Sequence, residues 1–186
     1  DQVGFKNAKM EDIAHKVGFS KASLYSYFRD KEEIAMQIIK LHLENFYKKI
    51  SSLPEKNISA KEKLGFIKNG YMDFIRKAKN YIIIKSNMDC NDITHKEVIE
   101  LKTNIYYVLS SILEQGIKEK TFIKSLNIPK SALLLESMLT GISFINSIAD
   151  QSNDKTLSGF NIEEMTSFAM DFFYMGITNT KQELCK

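Results

Sequence analysis

The chain has 186 residues, of which 44% are hydrophobic and 26% are charged. This composition excludes a disordered or fibrous protein and leaves room for one sizeable core with a small appended module. The net charge of +3 does not by itself indicate nucleic-acid binding, although a protein that places a few cations at chosen phosphates needs no larger excess. Only two prolines and eight glycines occur, with no alternating strand pattern, so the sequence predicts an all-α fold.

Two further features bear on the setting in which the protein works. No stretch approaches about 18 uninterrupted apolar residues, and no basic-then-apolar leader precedes the first predicted helix, so we expect a soluble, cytoplasmic protein. Cys90 and Cys185 lie far apart, with no His or second Cys at metal-ligand spacing. They are therefore predicted to be free thiols, and no metal or other cofactor is expected.

Residues 13–33 predict two short helices that meet at a glycine turn. Gly18 can take the left-handed backbone conformation that ends the first helix, and Ser20 can cap the second. The apolar side chains predicted to be buried here are Ile13, Ala14, Val17, Phe19, Leu24 and Phe28. The rest of the second helix is small, hydroxylated, aromatic or basic, which suits the major groove of DNA. The pattern therefore predicts a helix-turn-helix.

The outward face of the second helix carries side chains that can read DNA. Lys21 can donate to guanine O6 and N7, and the Ala22 methyl group can meet a thymine methyl group. Ser23 can reach either a base or a phosphate. A third helix follows at once, because Asp30 can cap it.

The order of these residues resembles the DNA-binding end of the TetR/AcrR family of bacterial transcriptional regulators. The positions that carry the resemblance are Gly4-Phe5, Ile13-Ala14, Gly18, Ser20-Lys21, Leu24-Tyr25, Tyr27-Phe28 and Lys31-Glu32. The resemblance implies that Tyr25, Tyr27 and Lys31 grip the phosphate backbone, Lys31 with help from its helix N-terminus. It also implies a helical ligand-binding body behind the DNA-binding domain.

The chain departs from the family pattern in two places. Ala8 and Lys9 stand where the family usually has a Thr/Ser pair that caps a helix and touches a phosphate, and Lys9 can replace that contact as a point charge. The family has an additional helix before the position of Gly4, whereas this chain begins at Asp1, so we expect that first helix to be missing from the sequence. The predicted DNA-binding residues are Lys9, Ser20, Lys21, Ala22, Ser23, Tyr25, Tyr27 and Lys31.

Four later helix starts are indicated by a capping residue that is followed three positions later by Glu. These pairs are Asp30 with Glu33, Ser59 with Glu62, Thr94 with Glu97, and Asn161 with Glu164. The predicted helices span about 30–50, 59–79, 94–119, 129–149 and 162–178, with a short apolar segment at 81–88. Ser51–Pro54 interrupts the pattern, so we predict a DNA-binding domain with its connecting helix at 1–50 and a ligand-binding and dimerisation domain at 51–186.

The last two predicted helices, about 129–149 and 162–178, are apolar on more than one face. Such helices must be buried on two sides. A helix-turn-helix reads two half-sites and needs a symmetric partner, and the family resemblance implies that these helices pair with their counterparts as a four-helix bundle. We therefore predict a homodimer.

The family resemblance also implies a small-molecule cavity among the central helices. The candidate lining residues are aromatic or Met: Tyr71, Phe74, Tyr81, Met88, Tyr106, Tyr107, Met138 and Phe144. For any single one of them, filling of the hydrophobic core is the better explanation. Glu136 and Asn146 lie on a mostly apolar helix and could orient a polar group of a hydrophobic inducer. A position on the exposed edge of that helix explains them as well.

Together these features predict a transcriptional regulator, a repressor that a small-molecule inducer releases from a pseudo-palindromic operator. The helix at 30–50 would carry the signal, because it joins the DNA-binding domain to the cavity. An enzyme is not expected, since His15, His42 and His95 are isolated and no nucleophile or phosphate-loop motif occurs. The alternative is an α-helical small-molecule-binding or interaction module that no longer reads DNA.

Overall fold

The computed structural model describes residues 7–77, 93–149 and 161–178. Its α-helices are α1 (Met10–Lys16), α2 (Lys21–Tyr27), α3 (Lys31–Ile50), α4 (Ala60–Lys77), α5 (Ile93–Lys118), α6 (Ile128–Ala149) and α7 (Ile162–Ile177). A 3-10 turn at Leu53–Glu55 follows α3. An isolated antiparallel bridge joins Phe122 to Thr178, and the described residues contain no other strand pairing. The all-α prediction is confirmed.

Three of the four predicted helix starts carry the expected side-chain cap. The backbone N–H of Glu33 donates to the Asp30 carboxylate at 2.8 Å. Ser59 and Glu62 cap each other, because each backbone N–H donates to the other side chain, at 2.9 and 3.2 Å. Asn161 likewise accepts from two backbone N–H groups of α7. These local bonds fix where α3, α4 and α7 begin.

The fourth predicted helix forms, but it begins slightly before the predicted capping residue. Helix α5 already includes Ile93, and Thr94 is buried, with its hydroxyl accepting from the Gln37 amide at 3.1 Å. The Glu97 carboxylate pairs with the Lys40 ammonium at 2.8 Å. Both side chains contact α3, and Thr94 lies inside α5 rather than before its first turn. They tie α5 to the first half of α3 instead.

The described residues form two hydrophobic clusters that meet along α3. The smaller cluster holds the helix-turn-helix together and consists of Met10, Ala14 and Leu24, with Ile13, Phe28 and Ile34 packed against it. The larger one begins with Ala35 and is shared by α3, α4, α5, α6 and α7. Helix α3 therefore packs in both clusters, so a movement of this helix would change the packing of each.

Two residues that were predicted to be buried in the helix-turn-helix lie at the surface. Val17 is 56% exposed and Phe19 is 52% exposed. Val17 is the C-terminal cap of α1 and has left the helical conformation, with φ −94° and ψ 2°. Gly18 then turns the chain with φ +74°, as predicted. Side chains beyond the end of α1 no longer share the face that Ala14 buries.

A buried lysine holds the connection after α3 in place. Lys63 is 1% exposed, and its ammonium donates to the Pro54 carbonyl at 3.0 Å and to the Gln115 side chain at 2.6 Å. The Gln115 amide donates in turn to the Ile58 carbonyl at 2.8 Å. These bonds fasten the 3-10 turn to α4 and α5, so the end of α3 has a fixed anchor in the larger core.

We expect Gly116→Ala to destabilise the fold. A Cβ atom at this position of α5 would overlap the ring of Phe122, which is 1% exposed. Forcing such a ring aside costs about 1–3 kcal/mol. Gly65→Ala is the matched control, because nothing lies within 4 Å of its added Cβ and alanine favours a helix over glycine. Thermal unfolding should show a lower Tm for the first variant and an unchanged or higher Tm for the second.

Helix α6 is unusually apolar. Its segment Ile128–Ile145 is long and apolar enough to cross a membrane by length and composition alone, and 22% of it is buried. One face packs into the larger core through Ala132, Leu135 and Leu139, whereas Leu133 and Leu134 are exposed. A single helix of this kind is weak grounds for a membrane span, since a core helix of a soluble protein meets the same test.

Candidate DNA-binding surface and ligand cavity

The second helix of the helix-turn-helix, α2, is set by a capped and exposed first turn. The backbone N–H of Ser23 donates to the Ser20 hydroxyl at 3.0 Å, and the two hydroxyls lie 2.8 Å apart. Leu24 anchors the helix in the smaller cluster. The opposite face is open to solvent, including Ala22, Tyr25 and Tyr27. The helix thus presents small, hydroxyl and aromatic groups outward, as a groove-reading helix must.

Lys21 is held at this surface by a neighbour that was not predicted. Its ammonium forms an ion pair with Glu11 of α1 and lies 5.9 Å from the centre of the Tyr25 ring. The hydrogen bond between the two side chains lowers the pKa of Glu11 and raises the pKa of Lys21. Both side chains are more than half exposed, and such ion pairs are weak. A DNA base can therefore displace Glu11.

Lys9 and Lys31 lie at the start of α1 and α3. Lys9 occupies the N-cap position of α1 but makes no side-chain cap bond, so its exposed ammonium is not committed to the helix. The Lys31 ammonium donates to the Ala8 carbonyl at 3.2 Å. Seven of the eight predicted DNA-binding residues are exposed, and Lys31 is half-buried. Lys31 therefore also links α3 to the segment before α1.

A cavity of about 60 Å³ lies between α3, α4, α5 and α6. Its lining residues are Leu43, Phe46, Ile67, Tyr71, Phe74, Lys102, Ile105, Tyr106, Leu109, Glu136, Leu139 and Thr140. On each helix these residues are either adjacent or three to four positions apart, so each helix offers one face to the cavity. Most of the lining is apolar.

Three aromatic rings form one wall of the cavity. The Phe46 ring of α3 lies 6.2 Å from each of the rings of Tyr71 and Phe74 on α4, which are 5.8 Å apart. The Tyr71 hydroxyl donates to the Leu139 carbonyl at 2.7 Å and lies 2.7 Å from the Ser143 hydroxyl. Tyr71 therefore fixes α4 to α6, and Phe46 brings α3 against that fixed pair.

Among the lining residues, the charged groups are Lys102 and Glu136. The Lys102 ammonium of α5 donates to the Glu136 carboxylate of α6 at 3.0 Å. Their side chains are 24% and 35% exposed, whereas Phe46, Ile67 and Leu109 are buried. The cavity thus combines a buried apolar interior with one ion pair that solvent reaches.

The cavity brings together some of the predicted ligand-binding residues and leaves others out. Tyr71, Phe74 and Tyr106 line it. Three others lie outside this lining: Tyr107 is 63% exposed, Phe144 is 45% exposed and Met138 packs against the larger core. Tyr107 lies about 100° beyond Tyr106 around α5, on the side away from Ile105, and its ring faces solvent. Tyr81, Met88 and the side chain of Asn146 lie outside the described residues.

Selection by residue type explains what the sequence prediction missed. The prediction looked for aromatic and Met side chains, whereas much of the lining is aliphatic or charged. The lining residues that it left unnamed are Leu43, Phe46, Ile67, Lys102, Ile105, Leu109, Leu139 and Thr140. Helical spacing from Tyr71, Phe74 and Tyr106 was the available signal, because Ile67 and Lys102 lie one turn before those residues.

Parts of the sequence are similar to known bacterial regulators. Residues 1–38 match the family model for bacterial regulatory proteins of the tetR family. A fatty acid metabolism regulator protein of Bacillus subtilis (strain 168) is 21% identical over 131 residues, a match that spans 67% of this chain and 66% of that protein's length.

Solved structures share the fold over almost the whole chain. The transcriptional regulator FadR from Bacillus subtilis, solved in complex with stearoyl-CoA, is 17% identical and matches with a TM-score of 0.71 over 95% of this chain and 92% of its own. PfmR, a TetR family regulator from Thermus thermophilus, is 19% identical, with a TM-score of 0.70 over 94% and 91%. The ketosteroid regulator KstR2 of Mycobacterium tuberculosis is 15% identical, with a TM-score of 0.69 over 96% and 88%.

At these identities the structural likeness establishes the fold, and the match at residues 1–38 covers the helix-turn-helix. The residue pattern around Gly18, the capped α2 and the helical body point in the same direction. Residues 1–38 thus resemble the DNA-binding part of the tetR family, and the chain shares the fold of solved TetR family regulators.

Proposed function

We propose that this protein is a DNA-binding transcriptional repressor whose homodimer leaves its operator when an apolar ligand enters the cavity. One observation carries the proposal: the two sites share helix α3. This helix begins at Lys31, four residues after the end of α2, and lines the cavity with Leu43 and Phe46. A change in the cavity therefore has a direct mechanical route to the helix-turn-helix.

The DNA-reading part of the proposal rests on the exposed surface around α2. Lys21, Ala22 and Ser23 are assigned to base edges, and the other predicted DNA-binding residues are assigned to phosphates or to positioning. We place the division between the DNA-binding part and the ligand-binding part at about residue 50. The two hydrophobic clusters support two parts, although α3 packs in both of them.

A homodimer would bury an apolar surface that the single chain leaves open. This surface lies on α6 and α7 and consists of Leu133, Leu134, Phe144, Ile145, Met165, Phe168, Phe172 and Met175. We call it the α6–α7 face. The two helices pack against each other, and many large apolar side chains exposed on neighbouring helices indicate a site of association. A symmetric pair would present two α2 helices to half-sites about 34 Å apart.

The cavity as it stands is too small for a long apolar ligand. A volume of about 60 Å³ holds only a few water molecules, since each needs roughly 10–15 Å³. A longer chain must therefore push a wall outward. Tyr71 fixes α4 to α6, so the wall formed by α3 is the one we propose to move. A ligand that binds the widened state better than the closed one shifts the protein toward it.

We propose a fatty-acyl compound as the ligand. The solved neighbour from Bacillus subtilis was obtained with stearoyl-CoA, and the cavity described above has the buried apolar interior that an acyl chain requires. Binding of the acyl chain would lower operator affinity through α3.

Fluorescence anisotropy of labelled DNA from upstream of the protein's own gene tests this function. We expect the purified protein to bind this DNA more tightly than unrelated DNA of the same length, and dodecanoyl-CoA to release it. A protein that bound dodecanoyl-CoA but preferred no DNA, even at low salt, would contradict the proposal and favour a helical binding module.

Lys21→Ala should relax base preference at one position of each half-site. We expect discrimination at that position to fall about tenfold, because a lysine that reads a guanine edge contributes on this scale. Competition with operators carrying single base changes measures the effect. Lys124→Ala is the control, since Lys124 is exposed in the stretch between α5 and α6, remote from α2 in sequence. Equal discrimination in both variants would remove Lys21 from the reading set.

A further inference from the structure

The Lys102–Glu136 ion pair is a charged feature of the cavity lining that binding of an apolar acyl chain does not require. We propose that Glu136 makes the cavity selective for the state of the ligand's head: acyl esters and thioesters enter, and free fatty acids are excluded. This inference rests on the proposed acyl-binding function and adds to it a residue that decides which acyl compounds act.

The position of the pair supports this role. Lys102 and Glu136 retain solvent contact, whereas Phe46, Ile67 and Leu109 are buried in the same lining. A chain that buries its tail against the buried residues leaves its polar head where solvent enters. The head group therefore comes to rest beside the Glu136 carboxylate.

The charge of the pair decides what that head can be. With the Lys102 ammonium 3.0 Å from the Glu136 carboxylate, the two charges already neutralise each other. A fatty-acid carboxylate would have to displace Glu136 from its lysine or lie next to a like charge, and both are unfavourable in a partly buried site. An uncharged ester or thioester carbonyl meets neither penalty.

A purely structural role for this pair is the competing explanation. The chain has other ion pairs between helices, such as Lys49 with Asp73 and Arg76 with Glu163, and these do not line the cavity. If the Lys102–Glu136 pair only clamped α5 to α6, its loss would weaken all acyl ligands alike. The ratio of affinities for an ester and an acid separates the two roles.

The test uses the full chain and three probes: dodecanoic acid, methyl dodecanoate and dodecanoyl-CoA. Binding is followed at neutral pH, where the free acid is ionised, by displacement of a fluorescent apolar dye. We expect the unmodified protein to bind the methyl ester about tenfold more tightly than the acid. Glu136→Gln should bring the two affinities within about twofold, and Lys102→Gln, which leaves Glu136 without its lysine, should widen the gap.

Asp73→Asn is the matched control. It removes a carboxylate from an ion pair outside the cavity lining and should leave the ester-to-acid ratio unchanged. Thermal unfolding of each variant shows that the compared proteins are folded.

Three results would overturn the inference. The first is equal affinity of the unmodified protein for ester and acid, and the second is an unchanged ester-to-acid affinity ratio in Glu136→Gln. The third is binding of dodecanoyl-CoA without binding of the methyl ester, which would place recognition in the CoA moiety. If no acyl probe binds, the inference fails together with the proposed ligand class. Operator binding, measured separately by anisotropy, then shows whether the DNA-binding part of the proposed function still stands.

Discussion

Phe172→Arg is expected to convert the proposed dimer into a folded monomer that no longer holds its operator. Phe172 is 63% exposed in the single chain and stacks on Phe168, which is 65% exposed, with ring centres 6.3 Å apart. Because both rings face solvent, the substitution costs the isolated fold little. In a dimer built on the α6–α7 face, the guanidinium would be buried without a partner, which is strongly unfavourable.

Loss of the dimer should weaken operator binding by about a hundredfold or more. Two linked recognition helices bind with an effective local concentration that a monomer lacks, and such linkage contributes about 10²–10⁴ in affinity. Size-exclusion chromatography with light scattering gives the mass, circular dichroism gives the Tm, and anisotropy gives the operator affinity.

Tyr107→Arg is the matched control for this experiment. Tyr107 has the same exposed fraction, 63%, but lies on α5 outside the α6–α7 face. It should remain dimeric and bind the operator normally. If Phe172→Arg stayed dimeric while Tyr107→Arg became monomeric, the interface would lie on α5 and the proposed α6–α7 face would be wrong.

The parts of the fold that were predictable from sequence depend on local interactions. Asp30, Ser59 and Asn161 cap helices through bonds that span two or three residues, so a short pattern contains the whole signal. Gly18 is similar, because its positive φ is a property of one residue. Thr94 shows the limit of this reasoning, since its buried contact with Gln37 lies 57 positions away along the chain.

The parts of the candidate site that were not predictable depend on how helices cross. Lys63 reads as a surface lysine in sequence, yet helix packing buries it against Pro54 and Gln115. Glu11 becomes the partner of Lys21 only because the turn brings α1 beside α2. Residue type alone predicted aromatic lining, whereas the crossing of α3 over α4 and α5 decides which side chains meet.

Phe46→Leu is expected to separate ligand binding from operator release. Phe46 is the aromatic contact of α3 with the fixed rings of Tyr71 and Phe74, and it lines the cavity. A smaller side chain leaves space at this wall, so an acyl chain can be accommodated with less displacement of α3. The ratio of operator affinities without and with dodecanoyl-CoA should fall about tenfold, while ligand affinity stays equal or improves.

Phe173→Leu is the control that separates a loss of coupling from a general loss of stability. Phe173 of α7 is buried to the same degree, with 4% exposure against 5% for Phe46, but does not line the cavity. Both changes should lower the free energy of unfolding by about 1–2 kcal/mol, measured by urea denaturation. Only Phe46→Leu should lose coupling, because Phe46 contacts the ligand from α3 whereas Phe173 lies on α7 outside the cavity lining. Equal loss of coupling in the two variants would mean that the signal travels through the core as a whole rather than through this ring.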